Sequence, residues 1–308
     1  MRAMLIANPK ATSTSRRVRD LLVRAFSGDL DLEFAETAHR GHATDLAREA
    51  AAGGYDVVIA LGGDGTVNEA VNGLLADGPS PKAPALAVLP IGSTNVFARA
   101  LGMPAEPIGA TRLVLEALRA GRHRRVGLGM ADDRYFTFCA GLGFDAEVIR
   151  VVERRRGAGR RPDPTLYLRV ALREFFTRTD RAHPALTLER PGHPPEKGLF
   201  LSFVVNTAPW TFLGRHPVNP APRAHFSTGL DVFAMRSLAV GPVLAAAAQM
   251  LLPGGRPVRG RHVVNVHDAS RFTLRADRPI AFQMDGDYLG ERTEVQFRSV
   301  PRAIRVVV

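Results

Sequence analysis

Asp64 stands between glycines in the stretch "ALGGDGTVNEAVNGL", residues 60–74. Gly62, Gly63 and Gly65 permit backbone conformations closed to other residues and let a ligand come close to the main chain. An apolar run precedes them, and a helical pattern follows. The free N–H groups expected at that helix start, residues 66–69, and the helix dipole favour a bound phosphate. A carboxylate there repels phosphate unless a cation lies between, and Mg2+ held by Asp64 would resolve the conflict. The loop is neither a Walker loop nor G-x-G-x-x-G. Asp-Gly is equally a common turn dipeptide, so a plain turn stands beside the phosphate site as a reading. "LPIGSTNVFARALG", residues 89–102, repeats the design. Gly92 allows a tight turn, Ser93 and Thr94 offer hydroxyls, and Asn95 can tie the loop to its neighbour. Ser93 or Thr94 could equally just cap the next helix. Near the end, "MDGDYLG" (residues 284–290) places Asp285 and Asp287 on a tight turn after the apolar run "IAFQM".

The elements that must position these residues alternate through the first 120 or so residues. Strands are expected at 3–8, 31–37, 56–61 and 85–90. Helices are expected at 16–26, 42–52, 67–75, 94–100 and 108–120. Such alternation predicts a parallel sheet covered on both faces, whose ligands bind beyond the carboxyl ends of the strands. The loops "NPK", "GGDGT" and "IGSTN" lie at those ends. After "AGRHRRVGLGM" the texture changes to short strand-like runs, with helices expected only at 167–176 and 243–252. The fold class is therefore an α/β N-terminal domain, residues 1–124, followed by a mainly antiparallel β-sandwich C-terminal domain, residues 125–298. The final segment, 299–308, could pair with either. "ERRRGAGRRPDP", residues 153–164, reads as an exposed, mobile basic loop.

The 308 residues suffice for two domains. A lone cysteine, Cys139, excludes an internal disulfide and any Cys-based zinc cluster, and fits a reducing cytoplasm. With 41 basic and 30 acidic residues, the net charge of +11 suits polyanions, anionic lipid surfaces or phosphate-bearing substrates. No signal peptide is expected. The longest apolar run, residues 238–252, is too short to span a bilayer.

Taken together, "GGDGTVNEAVNGL", "LPIGSTNVFARALG", "GLGFDAEV" (residues 141–148) and "MDGDYLG", in that order, resemble the diacylglycerol kinase catalytic-domain family, which includes bacterial lipid kinases and sphingosine kinases. The resemblance runs from "NPK" to "DGD". It implies an α/β domain that binds ATP with Mg2+, a β-sandwich domain that carries a lipid pocket, and an active site in the cleft between them. It also implies that Asn8, Thr37, Gly62, Gly63, Asp64, Gly65, Thr66, Asn68 and Ser93 line the nucleotide site. Asp64 then manages metal and phosphate, and Asp285 and Asp287 form an acidic pair at the acceptor hydroxyl. A lipid alcohol needs a carboxylate to take its proton as the phosphoryl group arrives. "DGD" alone would be an ordinary hairpin turn; the upstream motifs favour the acidic pair.

Three positions depart from the family pattern. Val96 stands where an Asp usually follows the Asn of the second motif. Asp287 stands where Glu is usual. Thr228 stands where an acid before a Gly often holds a structural magnesium, and Asp231 nearby is no assured substitute. None of the nine histidines has metal-ligand spacing. Cys139 reads as a small core residue, and Trp210 as either partly buried or dipping into lipid. The leading expectation is an ATP- and Mg-dependent lipid kinase acting on a diacylglycerol-like hydroxyl, cytoplasmic and peripherally bound to an anionic membrane. The chain leaves a homodimer open. The alternatives are a soluble NAD-kinase-type phosphotransferase and a non-catalytic lipid binder of the same fold. Nucleic-acid binding rests on charge alone.

Overall fold

The computed structural model describes residues 1–9, 16–157, 164–252 and 255–308. They form two compact units, Met1–Gly127 with Arg302–Val308, and Leu128–Pro301.

In the first unit, β1 (Arg2–Ala7), α1 (Arg16–Ser27), β2 (Asp31–Glu36), α2 (His42–Ala52), β3 (Val57–Gly62), α3 (Asp64–Leu74), β4 (Ala85–Pro90), α4 (Val96–Ala100) and α5 (Pro107–Arg119) follow one another. The strands pair in parallel in the order β2-β1-β3-β4. Val306, near the chain's end, pairs in parallel with Leu86 of β4. Every residue of β3 and β4 is buried, which is why both read as unbroken apolar runs rather than alternations. Edge strand β2 is mostly exposed. Gly73 lets α3 lie against α2, since a Cβ there would sit 2.2 Å from the Thr44 carbonyl oxygen. Lys10 of "NPK" lies outside the described residues.

β5 (Arg124–Ala131) runs from the first unit into the second, which continues with β6 (Arg134–Phe136), β7 (Cys139–Leu142), α6 (Phe144–Gly157), α7 (Pro164–Thr177), β8 (Leu186–Glu189), β9 (Glu196–Leu199), β10 (Leu201–Val205), β11 (Thr211–Leu213), β12 (His216–Val218), β13 (Leu230–Met235), α8 (Val240–Leu251), β14 (Val263–Ala269), β15 (Arg271–Met284) and β16 (Asp287–Val306), whose residues from Arg302 onward belong to the first unit. Pairing is antiparallel in the path β14-β13-β10-β7-β15-β16. β15 pairs with β8 along Thr273–Ala276 and with β7 along Phe282–Met284. The ladder thus branches, and side chains from both branches share one core. Leu188, Leu274 and Val295 meet Ala140, Val204 and Val232 there. The opposite faces of β10 and β13 are also buried. Phe203, Val205, Phe233 and Met235 pack with Ala246 and Met250 of α8 and with Phe175 of α7. Burial on both faces explains the continuous runs "LSFVV" and "LDVFAM".

Helices are more prominent here than the sequence reading allowed. α6 occupies "FDAEVIRVVERRRG". The supposed basic loop 153–164 is helix through Gly157 and again from Pro164, and residues 158–163 lie outside the described set. Phe144, Val148, Val151 and Val152 recur at helical spacing and pack against Leu166 and Val170 of α7. Cys139 is buried, as expected. Trp210 is half-buried and stacks on Phe203, with ring centroids 4.5 Å apart.

Candidate functional site

Parallel strands bring their carboxyl ends to one edge. In the order β2-β1-β3-β4, β1 leads outward to β2 on one side and to β3 on the other, so the switch point falls between β1 and β3. Asn8, just after β1, spans it. Its N–H donates to Leu61 O (3.1 Å), and its Nδ2 lies 3.4 Å from Thr66 Oγ1. Thr37, after β2, donates its N–H to Ala7 O. Gly63 and Gly92, after β3 and β4, meet backbone to backbone: a Cβ on Gly92 would stand 2.6 Å from Gly63 Cα and 2.7 Å from Asn95 Oδ1. Neither loop could approach so closely with larger residues.

Helix α3 begins at Asp64, three residues earlier than its apolar pattern suggests, with Gly63 as N-cap and no side-chain cap. The N–H groups of the first turn are therefore those of residues 64–66. Asp64 itself faces elsewhere. Its Oδ2 accepts from Val96 N–H (3.0 Å) and its Oδ1 from Phe97 N–H (3.1 Å). The carboxylate thus caps α4, a task expected of Ser93 or Thr94. Helix α4 starts at Val96 rather than 94 because Asn95 takes a left-handed conformation (φ 50°). The Asn95 side chain closes its own loop, accepting from Gly92 N–H and donating to Gly92 O, both at 2.9 Å. Glu69, unremarked in the sequence, does for α2 what Asp64 does for α4. Its carboxylate accepts from Gly41 N–H (2.9 Å) and Ala43 N–H (3.2 Å). Ser93 is exposed at the loop tip, Gly65 is half-buried, and Thr66 is buried. Asn68 is only 1% exposed, and its backbone and side-chain oxygens accept from Asn72 Nδ2. Replacing Asp64 by alanine should destabilise the chain by about 1–2 kcal/mol through loss of this long-range cap. Urea unfolding of wild type and variant measures it.

In the second unit, "MDGD" is a two-residue hairpin. Met284 pairs with Asp287, and the central residues have φ 48° (Asp285) and 83° (Gly286). Positive φ at both positions is what a type I′ turn requires, and Asp-Gly supplies it. The two acids diverge in environment. Asp285 is buried, and its carboxylate accepts from Thr137 N–H (2.7 Å), Thr137 Oγ1 (2.8 Å), Phe138 N–H (3.0 Å) and Cys139 N–H (3.1 Å). Burial pushes its carboxyl above the ordinary range, while these donors pull it back. Asp287, the first residue of β16, is half-buried.

Behind the hairpin lies a second buried acid. Asp145, in the first turn of α6, accepts from Gln283 Nε2 (2.9 Å), and Gln283 Oε1 accepts from Gly286 N–H (3.1 Å). "GLGFDAEV" thus delivers a carboxyl to the hairpin, and Gly141 makes room for it, since a Cβ there would lie 2.2 Å from Asp145 Oδ2. Burial raises the Asp145 carboxyl from 3.8 to about 7, against the opposing pull of Gln283. A raised carboxyl stabilises the fold fully below pH 3.8, and that contribution is lost as pH rises through about 7. Asp145→Asn removes this titration. The melting temperature of wild type relative to the variant should therefore fall between pH 5 and pH 8, as scanning calorimetry at the two values would record.

Among the described residues no group of three His, Cys, Asp or Glu is placed to hold an ion. Thr228 Oγ1 lies 2.9 Å from His225 O and 3.2 Å from Gly229 O. Asp231 is held by His267 Nδ1 (2.7 Å) and Asp268 N–H (3.0 Å). Neither is positioned as a spare ligand in place of the family's acid.

The architecture is that of solved diacylglycerol kinases. A crystal structure of a diacylglycerol kinase from Bacillus anthracis matches 99% of this chain and 96% of its own length, with a TM-score of 0.72 and 20% identity. A second structure from the same organism gives a TM-score of 0.77 at 22% identity. Residues 2–131 match the family described as the diacylglycerol kinase catalytic domain. The chain is 42% identical over 144 residues to the YegS-like lipid kinase of Chromohalobacter salexigens and 37% identical over 144 residues to the diacylglycerol kinase of Bacillus subtilis. These alignments span 44% and 46% of those relatives and 47% and 46% of this chain. The sequence similarity to the diacylglycerol kinase catalytic domain thus lies in residues 2–131, and the chain spans less than half the length of the curated relatives it matches.

Proposed function

We propose that this chain is an ATP- and Mg-dependent kinase that phosphorylates the hydroxyl of a diacylglycerol-like lipid at an anionic membrane surface facing the cytoplasm. The observation that carries the reading is the backbone contact of Gly63 with Gly92 beside the switch point, next to a helix start that lacks a side-chain cap. Such a helix start, with glycine turns around it, suits the phosphates of a nucleotide. In this reading Asn8, Thr37, Gly62 to Thr66 and Ser93 surround the nucleotide. Asn68 supports α3 from within the unit. Asp64 holds α4 and would also help hold magnesium, which supplies positive charge to the phosphates when bound.

The acceptor chemistry falls to the hairpin. Asp287 takes the proton of the lipid hydroxyl while that oxygen bonds to the γ-phosphorus and the bond to the ADP oxygen breaks. Asp285 acts as a positioning residue, with its four donors fixing the turn. Amide hydrogen exchange with and without a non-hydrolysable ATP analogue tests the nucleotide half. The expected result is protection at residues 62–66 and 91–96; protection confined to other segments would refute it. Parallel incubations with ATP, Mg2+ and either NAD or diacylglycerol separate the acceptor classes. Phosphorylated NAD without phosphorylated lipid would replace the lipid reading with the soluble one.

A further inference from the structure

Helix α8 carries no charged residue, and only Ala246 and Met250 are fully buried in the core beneath it. Its outer face presents Val240, Leu244 and Leu251, with Leu252 just beyond; Leu244 and Leu252 are 64% and 63% exposed. No helix among the described residues is long and apolar enough to cross a membrane. A 12-residue helix with one bare apolar face instead suits the plane of a lipid interface.

The surroundings select the occupant. Between Glu196 and Asp268 the sequence holds one acid, Asp231, against Lys197, Arg215, Arg223, Arg236, Arg256, Arg259 and Arg261. Asp231 is 3% exposed and engaged by His267. The basic segment is fastened to the helix. Gln249 Nε2 donates to Arg259 O and Gln249 Oε1 accepts from Arg259 N–H, both at 2.9 Å. On another side, Asn219 N–H donates to Met250 O (2.9 Å), which seats the β11–β12 hairpin and its exposed Arg215 beside α8. Arg215, Arg256, Arg259 and Arg261 are exposed and have no carboxylate partner among the described residues. A second copy of a chain with net charge +11 would meet this rim with repulsion, whereas anionic headgroups complement it.

We propose that the outer face of α8, with Arg256, Arg259 and Arg261 at its rim, is the surface by which the protein docks on an anionic bilayer, the leucines entering the acyl boundary and the arginines lying among the headgroups. The proposal rests on the lipid-kinase reading for its purpose but not for its test. Sedimentation of the full chain with phosphatidylcholine vesicles, with and without phosphatidylglycerol, measures docking alone. Wild type should bind the anionic vesicles, and added salt should weaken that binding. Leu244→Glu with Leu251→Glu, and Arg259→Glu with Arg261→Glu, should each weaken it at least about tenfold. Both variants should melt as wild type does and phosphorylate a short-chain diacylglycerol dispersed in neutral detergent at the wild-type rate. Equal vesicle affinity in wild type and both variants would overturn the proposal. So would a solution dimer that Leu244→Glu dissociates, because a second copy would then cover the face. Vesicle binding lost in the variants, with no turnover by wild type on the dispersed acceptor, would support the docking face and count only against the kinase reading.

Discussion

Asp287→Asn is expected to lower kcat for lipid phosphorylation by about 10²- to 10⁴-fold, the range a positioned proton acceptor contributes. ATP affinity and melting temperature should stay at wild-type values, because Asp287 is only half-buried at the start of β16. Asp285→Asn should behave oppositely. An amide keeps one acceptor oxygen and turns an NH2 toward N–H donors that the carboxylate now satisfies. Buried donors left without partners should cost about 2–4 kcal/mol of stability. Steady-state kinetics beside urea unfolding distinguishes the two. A pair in which both variants lost turnover equally, with unfolding unchanged, would return Asp285 to direct chemistry.

Gly92→Ala should raise the Kd for ATP by about ten- to hundredfold, the equivalent of an overpacking cost of about 1–3 kcal/mol. The new Cβ has only backbone and a locked side chain to push against: Gly63 Cα at 2.6 Å and Asn95 Oδ1 at 2.7 Å. Relief requires parting the two loops, and the proposed phosphate site is made of those loops. Gly28→Ala is the control, since its Cβ would meet nothing closer than 3.6 Å. Titration calorimetry reads both. ATP binding unaltered in Gly92→Ala would place the nucleotide elsewhere.

Much of the first unit was legible because its strands are buried on both faces and so read as unbroken apolar runs, separated by amphipathic helices. Helix α2 falls at residues 42–52, where its apolar spacing puts it. What the sequence concealed is action at a distance. Asp64 lies 32 residues from the α4 N–H group it caps, and only the packing of Gly63 on Gly92 brings them together. Glu69 is hidden for the same reason, as its partners are the N-cap and first turn of α2. Helix α6 hid differently. Its apolar spacing was present in Phe144, Val148, Val151 and Val152, but the arginine run at its end read as loop. Asp285 and Asp287 looked equivalent in "DGD", yet a type I′ turn sends one side chain inward to Thr137, Phe138 and Cys139 and makes the other the first residue of the returning strand.

The central claim is transfer of a phosphoryl group from ATP to a lipid alcohol. Its most direct test is incubation of the purified chain with γ-labelled ATP, Mg2+ and diacylglycerol in mixed micelles, followed by extraction into organic solvent. The account predicts label in an acidic lipid product, its formation abolished in Asp287→Asn. Label that stays in the aqueous phase across diacylglycerol and other lipid alcohols, while a working lipid kinase labels the same micelles, would contradict it.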